Sequence, residues 1–431
     1  MRLAVAFALI ASPLAALDLP TPDAVFPEQD IGQVQLGQLL FYDPILSGNK
    51  NISCGTCHHP RFGTGDGLSL GLGEGASGLG TDRVVNPDNR PEQRIPRHSP
   101  ALFNLGASEF TSLFHDGRLE ADASRPSGLR TPLGAEMEEG FASVLSAQTM
   151  FPVLSADEMA GHYSENEIAQ AVRQGFITGE GGAWDLLSQR IRAIPEYRDL
   201  FNAVIGDQPI HFTDISDAIA AFVAFEWRAD DSAFDRYLRD GTPLPDDAQA
   251  GIALFYGKAK CSTCHAGQFQ TDHGFHAIAL PQVGPGKAAR FERHNRDVGR
   301  MRVTGAAEDA YAFRTPSLRN VTFTAPYGHA GSHATLDGII RHHLDPQAAL
   351  AGYDASQLVL PDLANDSDLA VMGDAGELAE IVLASDVAPI PLSDAEIAQI
   401  IAFLTSLEDP TAITGRLGVP ATVPSGLPVD Q

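Results

Sequence analysis

The apolar positions along the chain fall mostly in helical rather than alternating register. Ile215 to Trp227 is an almost unbroken apolar stretch, long enough for a buried helix. Ile397, Ile400, Ile401 and Leu404 repeat at i, i+3, i+4 and i+7. They follow Ser393-Asp394-Ala395-Glu396, a capping box in which serine and glutamate satisfy free amides at the helix start. Thr335 to Leu344 reads as another helix, stopped by Asp345-Pro346. Leu336, Ile339, Ile340 and His343 share one of its faces, and His342 lies about 100° off that stripe. Gly/Pro-rich stretches such as Gly63 to Gly80 intervene, and few strand patterns are visible. The pattern predicts a mainly α protein with long loops.

The first apolar run is of a different kind. Arg2 precedes Leu3 to Leu14, and Ala15-Ala16 follow. A charged start, a short apolar core and small residues describe a secretory signal over residues 1–16. The run is too short to span a bilayer, and no later stretch reaches the roughly 18 apolar residues that spanning requires. The mature chain is expected in the periplasm, with no transmembrane segment. Its 431 residues carry 55 acidic and 29 basic side chains, a net charge of −26, with 44% hydrophobic residues. Such a composition supports a folded core, and the lack of a basic stripe argues against a nucleic-acid partner.

All four cysteines fall in two motifs, Cys54-Gly55-Thr56-Cys57-His58 and Cys261-Ser262-Thr263-Cys264-His265. Two thiols at this spacing can add to the two vinyl groups of one haem, and the adjoining histidine then meets the iron. Two covalently bound c-type haems are therefore expected, through Cys54, Cys57 and His58 and through Cys261, Cys264 and His265. A zinc site built from the four cysteines is the alternative, and it would leave both histidines unexplained.

The flanks of the two motifs repeat as well. Gly37-Gln38-Leu39-Leu40-Phe41-Tyr42 precedes the first and Gly251-Ile252-Ala253-Leu254-Phe255-Tyr256 the second. Downstream, Ser99-Pro100-Ala101-Leu102-Phe103-Asn104 echoes Thr315-Pro316-Ser317-Leu318-Arg319-Asn320, and His115-Asp116-Gly117 echoes His329-Ala330-Gly331. The order predicts two cytochrome-c-like haem domains related by duplication, 17–240 and 245–410, with a Gly/Pro linker between them and a tail over 411–431. The glycines of 63–80 are expected to let the backbone lie close to a flat macrocycle.

The ligand opposite each proximal histidine separates electron carriers from enzymes. For the second haem, His343 is the candidate. For the first, an insert over 118–160 carries Gln148, Pro152 and Glu158. A carboxylate beside bound peroxide can move a proton between its oxygens. Read without further context, a solvated loop acid is the commoner reading of Glu158.

The chain resembles the bacterial di-haem cytochrome c peroxidase family, and within it the MauG-like branch. The resemblance rests on VQLGQLLFYDPILSGNKNISCGTCH (34–58), SPALFN (99–104), FHDGR (114–118), DEM (157–159), FDRYL (234–238), CSTCH (261–265), FRTPSLRNVTFTAPYGHAG (313–331) and TLDGIIRHHLDP (335–346). It implies a peroxidatic N-terminal haem on His58 and an electron-transfer C-terminal haem on His265, with His343 where relatives place a Met or Tyr ligand. It also implies catalytic roles for Gln148, Pro152 and Glu158. A calcium ion would take the backbone of Thr324 and Pro326. Its third position holds His98 in place of Asn, a poor ligand for a hard cation. The loop 63–80 lacks the displaceable histidine of the peroxidases, which implies an open first haem. His115 replaces the family's inter-haem Trp, so bridging there would fall to hydrogen bonds.

Three functions follow. One is reduction of hydrogen peroxide with electrons from a small exported cytochrome c or cupredoxin, passed from the C-terminal to the N-terminal haem. Another is a MauG-like peroxide-dependent oxidase acting on a partner protein. The third is a non-enzymatic di-haem electron carrier.

Overall fold

The computed structural model describes residues 17–21, 24–288, 292–364 and 367–431. The expected signal segment, 1–16, lies outside the described residues. The chain is mainly helical, and its strands are two or three residues long, paired as 76–77 with 84–85, as 112–113, 119–121 and 129–130, and as 275–276 with 313–314. No helix among the described residues is long and apolar enough to cross a membrane.

The predicted helices are present with small shifts. The apolar stretch begins earlier than expected, as Phe212–Glu226, because a capping box joins His211 and Asp214. Thr335 caps Leu336–Leu344, accepting from the Gly338 amide. Ser393 and Glu396 cap Asp394–Thr405 reciprocally, and Ile397, Ile400, Phe403 and Leu404 are its buried positions. Phe403 thus replaces the half-buried Ile401 of the predicted stripe.

Each haem motif is fed by a helix that crosses a partner at very close range. A Cβ placed on Gly37, in the Ile31–Tyr42 helix, would come within 1.8 Å of the Ala218 carbonyl. A Cβ on Gly251, in the Asp246–Ala253 helix, would come within 2.0 Å of the Gln399 carbonyl. Phe41 meets Phe222 at 5.3 Å between ring centres, and Phe255 meets Phe403 at 4.9 Å. Asn104 and Asn320 both take left-handed backbone angles. Asn104 Oδ1 accepts from the Ala229 amide at 2.7 Å and Asn320 Oδ1 from the Asp409 amide at 2.7 Å, each just past the end of the partner helix. The repeated sequence motifs therefore make matching contacts.

The segments between these cores cross between them. Ser69 donates to the Gly331 carbonyl at 2.7 Å and its own amide to Val359 at 2.8 Å, while Arg94 pairs with Asp368 at 2.8 Å. The segment 411–431 packs back on the N-terminal half instead of hanging free. Ala412 and Val423 enter its core, and Ser425 and Asp430 bond to Asp43 and Thr56, each at 2.6 Å.

Candidate haem sites

The first motif is a single helical turn, Cys54–Cys57, opened by Ser53 and Thr56 in a capping box. The turn places the two thiols three residues apart, on one face. Both are free, and burial pushes each up to about 12, so neither is a thiolate at neutral pH. His58 Nδ1 lies 2.9 Å from the Thr64 carbonyl. A carbonyl can only accept, so Nδ1 carries the proton and Nε2 is left as a metal ligand. Burial also holds His58 neutral, below the usual histidine range, as metal binding requires. Cys54, Cys57 and His58 are enclosed by protein yet only half-buried to solvent. Their remaining exposure leaves the two sulfurs and the ring accessible to a large prosthetic group.

The second motif begins with a 3₁₀ turn, Cys261–Thr263. His265 Nδ1 donates to the Gln270 carbonyl at 3.0 Å, and the Gln270 amide reaches Tyr256 Oη at 3.4 Å. His343 Nδ1 donates to the Ile339 carbonyl at 2.8 Å, one helical turn back. Both histidines therefore keep Nε2 free. Their ring centres are 6.2 Å apart. Imidazole nitrogens bind metal ions at about 2 Å, and each lies roughly 1 Å from its ring centre, so two rings on one ion stand about 6 Å apart. The pair fits an ion held between them. His342 is fully buried, but it points elsewhere: its Nε2 donates to the Ile278 carbonyl at 2.8 Å and its ring packs 4.9 Å from His333.

No ring is paired with His58 in that way among the described residues. Gln148 closes the Val144–Thr149 helix, and its buried Oε1 has no partner. Pro152 opens the next short turn, Pro152–Leu154. Glu158 lies in a π turn, Ala156–Ala160, enclosed by protein but reachable by solvent. Burial raises its carboxyl above the usual glutamate range, with Lys287 and Arg118 opposing. It lies close enough to Cys57 for its charge to add to the rise of that thiol. Lys287 is itself pulled down to about 8 by burial and by Arg118 and Arg97. Neighbouring Asp157 accepts from Gln93 at 2.7 Å.

Two glycines of 63–80 also sit against neighbouring protein backbone. A Cβ on Gly73 would meet the Asp157 carbonyl at 2.1 Å, and one on Gly63 the Phe323 carbonyl at 2.2 Å. Their bareness admits neighbouring protein backbone, which pins the Glu158 turn.

His98 and His115 lie between the motifs. His98 Nδ1 donates to Leu68 at 2.8 Å, so the ring offers no oxygen to a cation beside Thr324 and Pro326. Arg97 holds Asp297 at 2.7 Å and Asp116 at 2.8 Å, all buried. Sequence reading missed this network and Lys287. Asp116 was visible inside the repeated HxG motif, but Asp297 is 200 positions from Arg97. The zinc alternative does not stand. Among the described residues the only converging group of three His, Cys, Asp or Glu donors is Cys264, Asp272 and His276, which holds one cysteine of the four.

A family model described as di-haem cytochrome c peroxidase matches residues 32–242. The methylamine utilization protein MauG of Methylorubrum extorquens is 30% identical over 329 residues, covering 75% of this chain and 71% of that protein. The cytochrome c551 peroxidase of Nitrosomonas europaea is 30% identical over 315 residues, with 73% of each chain covered. Among solved structures, a MauG-like protein associated with microbial copper homeostasis superposes with a TM-score of 0.59 at 25% identity, over 94% of this chain and 97% of that one. The diheme peroxidase BthA from Burkholderia thailandensis shares the fold, with a TM-score of 0.57 at 20% identity over 94% and 92%. With its two CxxCH motifs, and relatives of this family 30% identical over 75% and 73% of its length, the chain belongs to the di-haem cytochrome c peroxidase family.

Proposed function

We propose that the chain is a di-haem c-type peroxidase that reduces hydrogen peroxide at the His58 site with electrons delivered through the His265 site. The observation that carries this is the asymmetry of the two sites. His265 has a second imidazole, His343, at the separation two ligands of one ion would take. No second imidazole stands at that distance from His58 among the described residues, and the raised carboxyl of Glu158 lies close enough to Cys57 to act on that thiol, while Gln148, in the same insert, carries a buried amide oxygen with no partner. Cys54, Cys57 and His58 would hold one haem, and Cys261, Cys264, His265 and His343 the other. When bound, the haem irons supply the electron-accepting and electron-relaying chemistry.

The protein's own part is proton management and exclusion of water. Glu158 takes the proton from the near oxygen of peroxide and returns it to the far one, so that water can leave. Its raised affinity for a proton suits that traffic near neutral pH. Lys287 and Arg118 oppose that rise by favouring the ionised form, which proton acceptance requires. Gln148 orients peroxide through its amide, and Pro152 offers that space no N–H. Replacing Glu158 with Gln tests the assignment: the peroxide reaction slows strongly while both haem spectra persist. Unchanged turnover would remove Glu158 from the mechanism.

A MauG-like reading, peroxide-dependent oxidation of a partner protein, uses the same pocket. Pro152 and the histidine-free loop 63–80 favour it. Turnover of peroxide with a reduced cytochrome c or cupredoxin, beside a search for peroxide-dependent changes in a co-purified protein, separates the two. The matching contacts of Gly37 with Gly251 and Asn104 with Asn320 support two domains, 17–240 and 245–410, related by duplication. The signal-like segment 1–16 supports export to the periplasm. A calcium ion would rest on the carbonyls of Thr324 and Pro326 without help from His98.

A further inference from the structure

Glu74 stands in the loop that follows the first motif and is 1% exposed. Its Oε1 accepts from three side-chain amides, Asn49 at 2.8 Å, Asn51 at 2.9 Å and Asn89 at 3.1 Å. Its Oε2 is buried and has no hydrogen-bond partner. A carboxylate oxygen offers about two lone pairs, so one oxygen is crowded while its twin is bare. Asn49 also donates to Glu165 Oε2 at 2.6 Å. One amide thus holds two carboxylates, and their oxygens lie within about 5 Å, the width of a calcium ligand shell with ligands about 2.3–2.6 Å from the ion. Both acids bond to amides, and no Lys, Arg or His among the described residues forms an ion pair with either. A buried charge ordinarily has an opposite charge or a metal ion beside it.

We propose that Glu74, Glu165, Asn51 and Asn89 hold a calcium ion, at a site that shares no residue with the Thr324 and Pro326 carbonyls. Glu74 would supply its bare Oε2 and Glu165 its carboxylate, and their two negative charges match the charge of the ion. Asn51 and Asn89 have no other side-chain bond among the described residues. Each amide can therefore turn over and present its oxygen. Asn49 is fixed, because its Oδ1 accepts from Asn166 at 2.9 Å; it remains the clasp between the two acids. Carboxylate and amide oxygens suit a hard cation. An irregular set completed by water suits calcium better than magnesium, which demands a tight octahedron. Asn51 and Glu165 are exposed, so an ion can reach the buried floor from solvent.

The ligands stand on both sides of the turn that carries Glu158. The Glu74 amide donates to the Asp157 carbonyl at 3.1 Å. Beyond the turn, Glu165 is followed by Asn166, which donates to the Ala160 carbonyl at 3.0 Å. Asn51 belongs to the segment that leads into Cys54. Calcium would therefore fasten the Ala156–Ala160 turn to the first motif. The bearing of that fastening on peroxide chemistry rests on the function proposed above; the ion site itself does not.

The test uses the haem-loaded full chain, stripped with a chelator and titrated with calcium alone by isotope equilibrium dialysis. The parent should bind one ion per chain more than Glu74→Gln. Glu165→Gln, at the exposed rim, should weaken that ion by about tenfold or more. An ion on the Thr324 and Pro326 carbonyls would be kept in both variants and so cancels from the comparison. Hydrogen exchange, read by mass spectrometry, should slow several-fold over 156–166 when calcium is added to the parent, and should not in Glu165→Gln. Equal stoichiometry and affinity in the parent and both variants would overturn the site, as would parental affinity in Glu165→Gln alone should Glu74→Gln not fold. Magnesium that displaces calcium at equal concentration would also overturn it. Unchanged exchange over 156–166 in a parent that binds the ion would overturn the fastening. Neither measurement uses peroxide, so failure of the peroxidase reading would leave both results standing.

Discussion

His58 and His265 begin from the same five-residue motif and the same use of Nδ1, yet their neighbourhoods diverge. Behind His265, the helix Leu336–Leu344 delivers an imidazole to 6.2 Å, already oriented by its own i−4 carbonyl. Near His58, the 118–160 insert delivers a short helix, a proline turn and a π turn. A helix fixes a ligand rigidly and closes a coordination position. A string of turns with an orphan amide and a buried acid leaves room for a small polar guest. The repeated motif gives the two histidines the same local geometry, and the segments packed opposite them differ. The difference can be attacked from either side.

The largest expected effect is at Glu158. A positioned acid/base commonly contributes about 10²–10⁴ in rate, so Glu158→Gln should slow the peroxide reaction by that range in stopped-flow mixing. Glu158 must be ionised to accept a proton, and its affinity for protons is raised. The rate should therefore fall on acidification with a midpoint above the ordinary glutamate value of 4.5, and that acid limb should vanish in Glu158→Gln. An acid limb that survives the substitution would assign it to another group.

The buried network between the sites comes next. Asp297→Ala would leave Arg97 with Asp116 alone, and breaking a buried pair costs about 3–5 kcal/mol. Both carboxylates sit below the usual aspartate range, Asp116 at about 2, because Arg97 stabilises their charged forms against the cost of burial. Groups with depressed folded values contribute stability above their unfolded value near 3.8 and lose it as pH falls towards the folded value. Denaturant unfolding of the holoprotein should thus show the Asp297→Ala deficit at pH 7 and a smaller one near pH 3. A deficit independent of pH would point to packing instead.

Removing His343 should make the second site resemble the first. His343→Ala should turn that haem high-spin and let cyanide bind, as read by electron paramagnetic resonance and absorbance. His342→Ala should not, because its nitrogen is spent on the Ile278 carbonyl. The reverse outcome would exchange the two assignments.

How much of this was legible beforehand follows the range of the interactions. The CxxCH motifs, the capping box at Ser393 and the cap at Thr335 are local, and local chemistry can be read along the chain. That His343 and His342 point different ways was legible too, because helical period separates neighbours by direction. Burial was not: His342 is the more buried ring, since a second face of that helix packs on Ile278 and His333. The backbone contacts of Gly63 and Gly73 were not legible, because a bare glycine records close approach without naming what approaches. Lys287 beside Glu158, Asp297 on Arg97 and the return of 411–431 onto Asp43 and Thr56 all join distant parts of the chain. One sequence has no periodicity that reports such pairs.

The smallest effect tests whether the two halves are alike at their cores. Gly37 and Gly251 occupy the same place in the repeated Gly-x-x-Leu-Phe-Tyr, and each lets its helix press on a partner carbonyl, Ala218 or Gln399. Gly37→Ala and Gly251→Ala should each force the helices apart. Overpacking of this kind typically costs about 1–3 kcal/mol, offset in part because alanine favours a helix by roughly 1 kcal/mol over glycine. The two losses should be similar in size. Their consequences should differ, because the crossings support different haem neighbourhoods. Shifting the Gly37 crossing moves Tyr42, whose ring lies against Gly55 of the first motif, and should alter the high-spin spectrum. Shifting the Gly251 crossing moves Tyr256, which bonds Gln270 and so steadies His265, and should alter the low-spin one. Matching stability losses with spectral changes confined to one haem each would support two equivalent cores carrying different sites. A loss in one variant alone would mean that the sequence repeat no longer marks a structural one.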